Sequence, residues 1–335
     1  MTGAVDVHAH VIVPELLREA APAETWRPSV RWDVDGQVVK LGGRSMRSAV
    51  HDFVDIDVIL TTLASRGCDR AVLCPWVGLL FQDVAADEAL ERCRLQNDGL
   101  VRLHERRPEQ VTVLGSVPLQ DPELAGAELP ALMGRPGVAG VEVTASMDGT
   151  YLGAPRFEPF WAAAEACNAL VFVHPTTRGF PGGVFDDHYL WNLVGNPFET
   201  TITAAHLILS GTMARHPGLR VLLAHGGGAL PGLAGRIQHG RCTIKAAGPP
   251  PGEPADVTVR RFLFDSVTHD ARQLRALVDA VGADRVMLGS DTPFDMADPD
   301  PISTVRAAAL SAEDEAAVLA GNAERELAIA APARG

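Results

Sequence analysis

Two histidines near the start of the chain, His8 and His10, form the pattern that points most directly to chemistry. They stand at the end of the first apolar run, residues 4–7, and only Ala9 separates them. In a β-strand, side chains alternate between the two faces, so residues at positions i and i+2 project to the same side. The pair can therefore bind one metal ion, and its spacing predicts a metal site at the end of a strand.

Three further polar residues each follow a short apolar run of the kind that forms a buried strand. They are His174, His225 and Asp291, and they are far apart in the sequence. In a (β/α) barrel, the active site is built at the carboxyl ends of the strands, so such residues converge on one mouth. The sequence therefore predicts that all three side chains lie close to the histidine pair.

The chemistry of this set favours a catalytic metal. Imidazole and carboxylate groups suit Zn²⁺, and a catalytic zinc keeps one position open for water or substrate. We expect His8, His10, His174 and Asp291 to hold the ion, with His225 beside it as an acid/base group or as an additional ligand. A bound metal lowers the pKa of water towards about 7 and polarises a substrate oxygen.

The lysine content bears on the number of ions. The chain contains only Lys40 and Lys245, and neither falls on the fourth predicted strand, residues 138–143. No lysine on that strand is thus available for the carbamylation that bridges two metals. We predict a mononuclear site for Zn²⁺, with Mn²⁺ as the alternative, and Glu142 is the group on that strand that could replace a bridging lysine.

Strand-like apolar runs alternate with stretches of helical apolar spacing along the chain. The predicted strands are residues 4–7, 70–74, 111–115, 138–143, 170–173, 221–224, 262–265 and 285–288. The predicted helices are residues 56–66, 85–105, 122–133, 155–167, 204–215 and 271–281, with terminal helices within 311–329. The alternation predicts parallel βα units, and eight of them predict a distorted (β/α)8 TIM barrel of the α/β class.

Two segments interrupt this alternation. Residues 11–48 contain two alternating runs around Asp35-Gly36, which predicts a hairpin in a small β-rich insertion after the first strand. We expect this insertion to belong to a single barrel domain covering residues 1–335. Residues 176–200 are rich in Gly and Pro and follow His174, so they form either a pocket-lining lid or a structural loop over the barrel.

Composition limits the classes of function. The formal net charge of −13 disfavours binding to nucleic acid or to an anionic membrane, and local arginines must hold any anionic substrate. No apolar run is long enough for a membrane helix, and the N-terminus does not resemble a signal peptide. The five cysteines show no CxxC pair, which predicts free thiols and a cytoplasmic protein.

The motifs together resemble the amidohydrolase superfamily, and more narrowly its branch of aminocarboxymuconate-semialdehyde decarboxylases and decarboxylases of hydroxylated aromatic acids. The likeness covers nearly the whole chain. It rests on His8-x-His10, His174-Pro175, His225-Gly226-Gly227-Gly228 and Gly289-Ser290-Asp291-Thr292-Pro293-Phe294. The resemblance implies a distorted barrel, one divalent metal, usually zinc, and cleavage of a C–C bond by nonhydrolytic decarboxylation.

The resemblance also implies roles for individual residues. It makes His225 the general acid/base and gives Asp291 a part in catalysis as well as in metal binding. It implies that Arg47 and Arg236 bind substrate carboxylates, with Arg236 reaching across the interface of a homodimer. Arginine suits this role because its planar guanidinium forms two parallel hydrogen bonds with a carboxylate.

Other residues are secondary candidates near the predicted mouth. Trp191 and Phe294 match aromatic pocket positions of the family. His51 and His188 lie in loops from which they could contact substrate, and Asp265 follows a strand from which it could support a metal ligand.

The leading functional hypothesis is a metal-dependent carboxy-lyase that acts on an unsaturated or aromatic carboxylic acid, such as an aminocarboxymuconate semialdehyde or a hydroxybenzoate. A first alternative keeps the site and changes the reaction to hydrolysis or hydration of a lactone, an amide or an unsaturated dicarboxylate. A second alternative is a noncatalytic barrel that serves in binding. Where the family has Asn-Phe-Arg-Pro, this chain has Ser45-Met46-Arg47-Ser48, so the exact substrate stays open.

Overall fold

A computed structural model describes residues 3–17, 26–41, 44–48, 52–180, 182–245 and 253–328. His51 lies outside these ranges, so its predicted place near the mouth is not addressed by the structure. Among the described residues, no helix is both long enough and apolar enough to span a membrane.

Eight parallel strands form the central sheet, as the sequence predicts. In spatial order, they are β1 (Ala4–Val11), β5 (Cys68–Pro75), β6 (Val111–Gly115), β7 (Val138–Thr144), β10 (Leu170–His174), β11 (Arg220–Leu223), β12 (Leu263–Asp265) and β13 (Val286–Met287). The first and last strands are joined because Val7 N donates to Leu288 O at 2.8 Å and Asp291 N donates to His8 O at 2.8 Å. The predicted α/β barrel is therefore confirmed.

Helices lie between the consecutive barrel strands, and three more follow the last strand in the described part of the chain. They are α1 (Ile56–Ser65), α2 (Ala86–Arg106), α3 (Pro122–Met133), α4 (Glu158–Ala166), α5 (Asn196–Leu209), α6 (Thr212–Arg215), α7 (Leu230–Thr243), α8 (Ala255–Val259), α9 (Ala271–Val281), α10 (Pro301–Ala307), α11 (Ala312–Ala316) and α12 (Asn322–Leu327). Asp55, Asp121 and Asp270 each cap a helix, because their carboxylates accept hydrogen bonds from backbone N–H groups of the first turn.

Two helix predictions need correction. The helix expected at 204–215 begins earlier, at Asn196, with Pro197 in its first turn, and a short helix, α6, follows it after Gly211. Helices α7, α8 and α10 were not predicted. In α7, glycines and charged residues leave little apolar periodicity, and α8 and α10 are only five and seven residues long.

The insertion after the first strand is a three-stranded antiparallel sheet of β2 (Ser29–Asp33), β3 (Gly36–Leu41) and β4 (Arg44–Ser48). The predicted hairpin is present, but Val34 and Asp35 form its turn because Asp33 pairs with Gly36. Strand β4, which carries Arg47, was not predicted. The first barrel strand extends to Val11, so the insertion starts later than residue 11. After β7, the short strands β8 (Ser146–Met147) and β9 (Thr150–Tyr151) form a two-stranded antiparallel sheet.

The barrel strands are buried on both faces, which explains why they appear in the sequence as continuous apolar runs. The cysteines form no disulfide, as predicted; Cys68, Cys74 and Cys93 are buried, Cys167 is half-buried and Cys242 is exposed.

Close packing between two barrel strands yields a stability prediction. A Cβ atom at Gly140 of β7 would lie 1.9 Å from the backbone oxygen of Leu170 in β10, and backbone cannot move aside easily. We expect Gly140→Ala to lower the free energy of unfolding by about 1–3 kcal/mol, measured by urea denaturation. Gly232→Ala in α7 is the matched control, because among the described residues no atom outside its own helical turns lies within 4 Å of its added Cβ. Equal stability of the two variants would contradict the prediction.

Candidate metal centre and active site

The predicted metal ligands converge at the carboxyl end of the barrel. His8 and His10 lie within β1, and not after it as the sequence suggested, because the strand continues to Val11. His174 is the last residue of β10, and Asp291 lies in the segment after β13. All four side chains are buried. Strands that are distant in sequence thus place their polar residues around one point.

Three of the four donor atoms lie at the separations expected around a shared cation. His8 Nε2 lies 3.1 Å from His10 Nε2, and Asp291 Oδ1 lies 3.2 Å from the first nitrogen and 3.3 Å from the second. Ligand atoms bound at about 2.0–2.2 Å from one zinc ion lie roughly 3–3.5 Å apart. His174 Nε2 and Asp291 Oδ1 are buried and have no hydrogen-bond partner among the described residues. The residues therefore fit a metal ion.

Hydrogen bonds to the other ring nitrogen orient each histidine of the set. His8 Nδ1 lies 2.6 Å from Asp265 Oδ2, His10 Nδ1 lies 2.8 Å from the Pro75 carbonyl, and His174 Nδ1 lies 2.9 Å from the Pro175 carbonyl. Such partners fix the tautomer and the ring orientation of metal-binding histidines. Each Nε2 is consequently left as the donor for the ion.

The electrostatics of the site agree with this assignment. Burial lowers the pKa of His8, but the Asp291 and Asp265 carboxylates outweigh burial and raise it to about 10. Burial raises the pKa of Asp291, but the neighbouring histidines hold it well below the usual range. Burial lowers the pKa of His10 and of His174. A cation that binds these ligands must therefore displace the proton of His8, because only neutral imidazole binds a metal.

His225 stands beside the ligand set. Its Nε2 lies 3.5 Å from Asp291 Oδ2, and it belongs with His8, His174 and Asp291 to a group whose ligand atoms lie within 4.8 Å of one another. His225 has a φ of 57° and Asp291 has a φ of 66°, a left-handed backbone conformation that is uncommon for residues other than glycine. Such backbone strain clusters at functional sites. The geometry allows His225 either role that the sequence suggested.

Asp265 contacts both the His8 side chain and the backbone of the His225 segment. Besides its contact with His8, its carboxylate accepts hydrogen bonds from the backbone N–H groups of His225 at 2.9 Å and Gly226 at 2.8 Å. The sequence placed Asp265 at a strand end as a supporting residue, and the structure confirms that position. One carboxylate thereby couples the orientation of the candidate metal ligand His8 to that of the acid/base candidate His225.

Glu142 lies on the opposite side of His10 from Asp291. Its Oε1 is 3.8 Å from His10 Nδ1, whereas Asp291 approaches Nε2. Burial raises the pKa of Glu142 well above its usual range, and neither carboxyl oxygen has a hydrogen-bond partner among the described residues. Its ligand atom nevertheless lies within 4.8 Å of those of His10 and His174.

A cavity of about 1480 Å³ opens above the candidate metal ligands. His174, His225 and Asp291 lie at its base, and the predicted substrate-binding residues Arg47, Trp191 and Phe294 line its wall. Arg236 does not line the cavity of its own chain, since it lies exposed on α7. His188 is exposed as well and is not part of the lining.

Several residues of the site were missed by the sequence reasoning. Asp6 is buried in β1, accepts a hydrogen bond from the backbone N–H of Ser290 at 3.1 Å, and so holds the segment that carries Asp291. Glu199 accepts hydrogen bonds from backbone N–H groups of the loop after His174, and Arg178 of that loop lines the cavity. In the sequence, the charged Asp6 stands out within the apolar run Val5-Asp6-Val7. This pattern indicates a buried charge but does not indicate which residue it contacts.

Comparison with known proteins decides the family. The family model described as amidohydrolase matches residues 78–329 of this chain. The chain belongs to the amidohydrolase family. This result confirms the resemblance inferred from the motifs around His8, His174, His225 and Asp291.

Individual relatives are decarboxylases by name. The chain is 29% identical over 267 residues to 2-amino-3-carboxymuconate-6-semialdehyde decarboxylase of Dictyostelium discoideum, which covers 78% of this chain and 73% of the relative. It is 28% identical over 321 residues to gamma-resorcylate decarboxylase of Rhizobium radiobacter, which covers 89% and 90%. The crystal structure of 2,6-dihydroxybenzoate decarboxylase from Rhizobium matches with a TM-score of 0.79 and 25% identity, over 98% of this chain and 99% of that one.

The bond between Asp265 and His8 yields a prediction about metal affinity. We expect Asp265→Asn to weaken zinc binding about 10- to 100-fold, because a carboxylate that orients a metal-binding histidine is lost. Competition with a chromophoric chelator measures the affinity, and circular dichroism checks that the variant is folded. Asp279→Asn is the control, since this exposed carboxylate pairs with Arg275 on α9. Unchanged affinity in folded Asp265→Asn would contradict the assignment of His8 as a ligand.

Proposed function

We propose that this chain is a metal-dependent, nonhydrolytic decarboxylase of an aromatic or unsaturated carboxylic acid. The observation that carries the proposal is the convergence of His8, His10, His174 and Asp291 on one point, with His225 beside them at the base of a cavity. The named relatives act on aminocarboxymuconate semialdehyde and gamma-resorcylate. A hydroxybenzoate-like or muconate-like acid is accordingly the proposed substrate class.

We propose Zn²⁺ as the resident ion, with Mn²⁺ as the alternative, in a mononuclear site. Three imidazoles and one carboxylate form a donor set that zinc prefers. The ion would be held by His8, His10, His174 and Asp291, and when bound it supplies Lewis-acid polarisation of a substrate oxygen. Glu142 faces the other ring nitrogen of His10, which supports a single ion at the Nε2 side.

A side chain of this protein must protonate the carbon that loses CO₂. Loss of CO₂ leaves an electron pair on carbon, and a proton must be delivered to that atom. We assign this delivery to His225, because it lines the cavity and its Nε2 faces the Asp291 carboxylate. Asp265 fixes the backbone of His225, and Phe294 contributes an apolar surface to the cavity wall beside it.

The remaining predictions belong to the same proposal. Arg47 would bind the substrate carboxylate from the cavity wall. Arg236, exposed on α7, would serve the cavity of a second copy in a homodimer. We further propose that residues 1–335 form one barrel domain with the inserted sheet, in a cytoplasmic protein whose thiols are free.

Neither alternative gains support from a specific observation. Hydrolysis or hydration would use the same ligands, but the named relatives described above are decarboxylases. A noncatalytic barrel would have no need for strained His225 and Asp291 at the base of a large cavity.

Substitution of the acid/base candidate tests the reaction. We expect His225→Asn to retain zinc and to lower kcat for CO₂ release about 100- to 10,000-fold, because general acid/base catalysis contributes that range. The assay uses a panel of hydroxybenzoates and muconate semialdehydes, with mass spectrometry to detect products lighter by one CO₂. His239→Asn, on the exposed side of α7, is the control. Products heavier by one water would instead establish hydrolysis or hydration, and loss of zinc from His225→Asn would make His225 a ligand.

A further inference from the structure

Three arginines among the described residues line the cavity: Arg47, Arg92 and Arg178. All three have a partner within the chain. Arg47 forms a two-point contact with Asp33 of the inserted sheet, and the Arg92 guanidinium stacks 4.5 Å from the ring centre of Trp26. Arg178 differs because it belongs to the loop that directly follows the metal ligand His174.

That loop is held by a buried carboxylate. Glu199 of α5 is completely buried and accepts hydrogen bonds from the backbone N–H groups of Thr176 at 2.7 Å and Gly179 at 2.8 Å, and also from that of Thr177. A buried carboxylate bound by several backbone N–H groups rigidly determines the path of a loop. The backbone on both sides of Arg178 is therefore fixed, and the guanidinium is presented to the cavity from a defined position.

The ion pair that Arg178 forms within the chain is exposed to solvent. Arg178 pairs with Asp83 across the cavity wall, and the Asp83 side chain is 72% exposed while that of Arg178 is 31% exposed. Exposed ion pairs contribute little free energy, so a ligand carboxylate can replace Asp83 without a large penalty. The metal ligands, by contrast, are buried at the base of the cavity. Arg178 thus sits at the outer part of the same cavity.

We propose that Arg178 is a specificity-determining residue that binds a second anionic group of the substrate, remote from the metal. This inference rests on the proposed function and names the substrate class more closely, as an acid that carries two anionic groups. The guanidinium fork binds such a group with two hydrogen bonds. A negatively charged protein needs a local cation of this kind to hold a doubly charged substrate.

Binding of unreactive probes tests the proposal independently of turnover. Calorimetry on the zinc-loaded protein compares benzoate with the dicarboxylates isophthalate and terephthalate. We expect at least one dicarboxylate to bind about 10- to 100-fold more tightly than benzoate, and Arg178→Gln to abolish this preference while benzoate binding is unchanged. Arg178→Lys should keep part of the preference, because lysine retains the charge but not the fork. Arg94→Gln, which removes a surface ion pair with Glu128, is the matched control.

A substitution of Asp83 tests whether Arg178 binds substrate or only forms a structural ion pair with Asp83. Asp83→Asn should retain or increase the dicarboxylate preference, since it removes a competitor for Arg178. The proposal is overturned if the wild type shows no dicarboxylate preference, if Arg178→Gln leaves it intact, or if Asp83→Asn abolishes it as Arg178→Gln does. CO₂ release is assayed separately, so a retained preference without decarboxylation would refute the proposed function and leave the role of Arg178 standing.

Discussion

The close approach of buried imidazole nitrogens to the Asp291 carboxylate is the interaction on which this site depends. His8 Nε2, His10 Nε2 and Asp291 Oδ1 lie within 3.3 Å of one another, and all three side chains are buried. Polar atoms in such surroundings are unfavourable unless they are hydrogen-bonded or bind an ion. A shared cation satisfies all of them at once, and the second ring nitrogens are already occupied by Asp265 and the Pro75 carbonyl.

The barrel produces this arrangement because its first and last strands are neighbours. Hydrogen bonds join β1 to the segment around β13, and Asp6 fixes the backbone of Ser290 immediately before Asp291. Residues that are far apart in sequence therefore lie together at the carboxyl end of the barrel. The cavity at that end of the barrel is lined by aromatic and arginine side chains. The same metal ligands can therefore act on different substrates, and the side chains of the cavity wall determine which substrate binds.

Much of the fold and the convergence of the candidate ligands could be predicted because both depend on local patterns. Apolar runs that end in His174, His225 or Asp291 indicate strands of a barrel, and the structure confirms the eight strands. The role of Glu199 could not be predicted, because it lies on a helix and acts on a loop that precedes it by about twenty residues. Helix α7 and strand β4 have weak periodicity and form through contacts with the rest of the fold. The substrate-binding assignments of Arg47 and Arg236 stay predictions, since they depend on a ligand and on a second chain.

Anomalous diffraction at the zinc absorption edge, from crystals of the zinc-loaded protein, tests the metal assignment most directly. The account predicts a single peak about 2.0–2.2 Å from His8 Nε2, His10 Nε2, His174 Nε2 and a carboxylate oxygen of Asp291. A peak that lies on Glu142 and away from Asp291, or the absence of a peak between these four side chains, would contradict it.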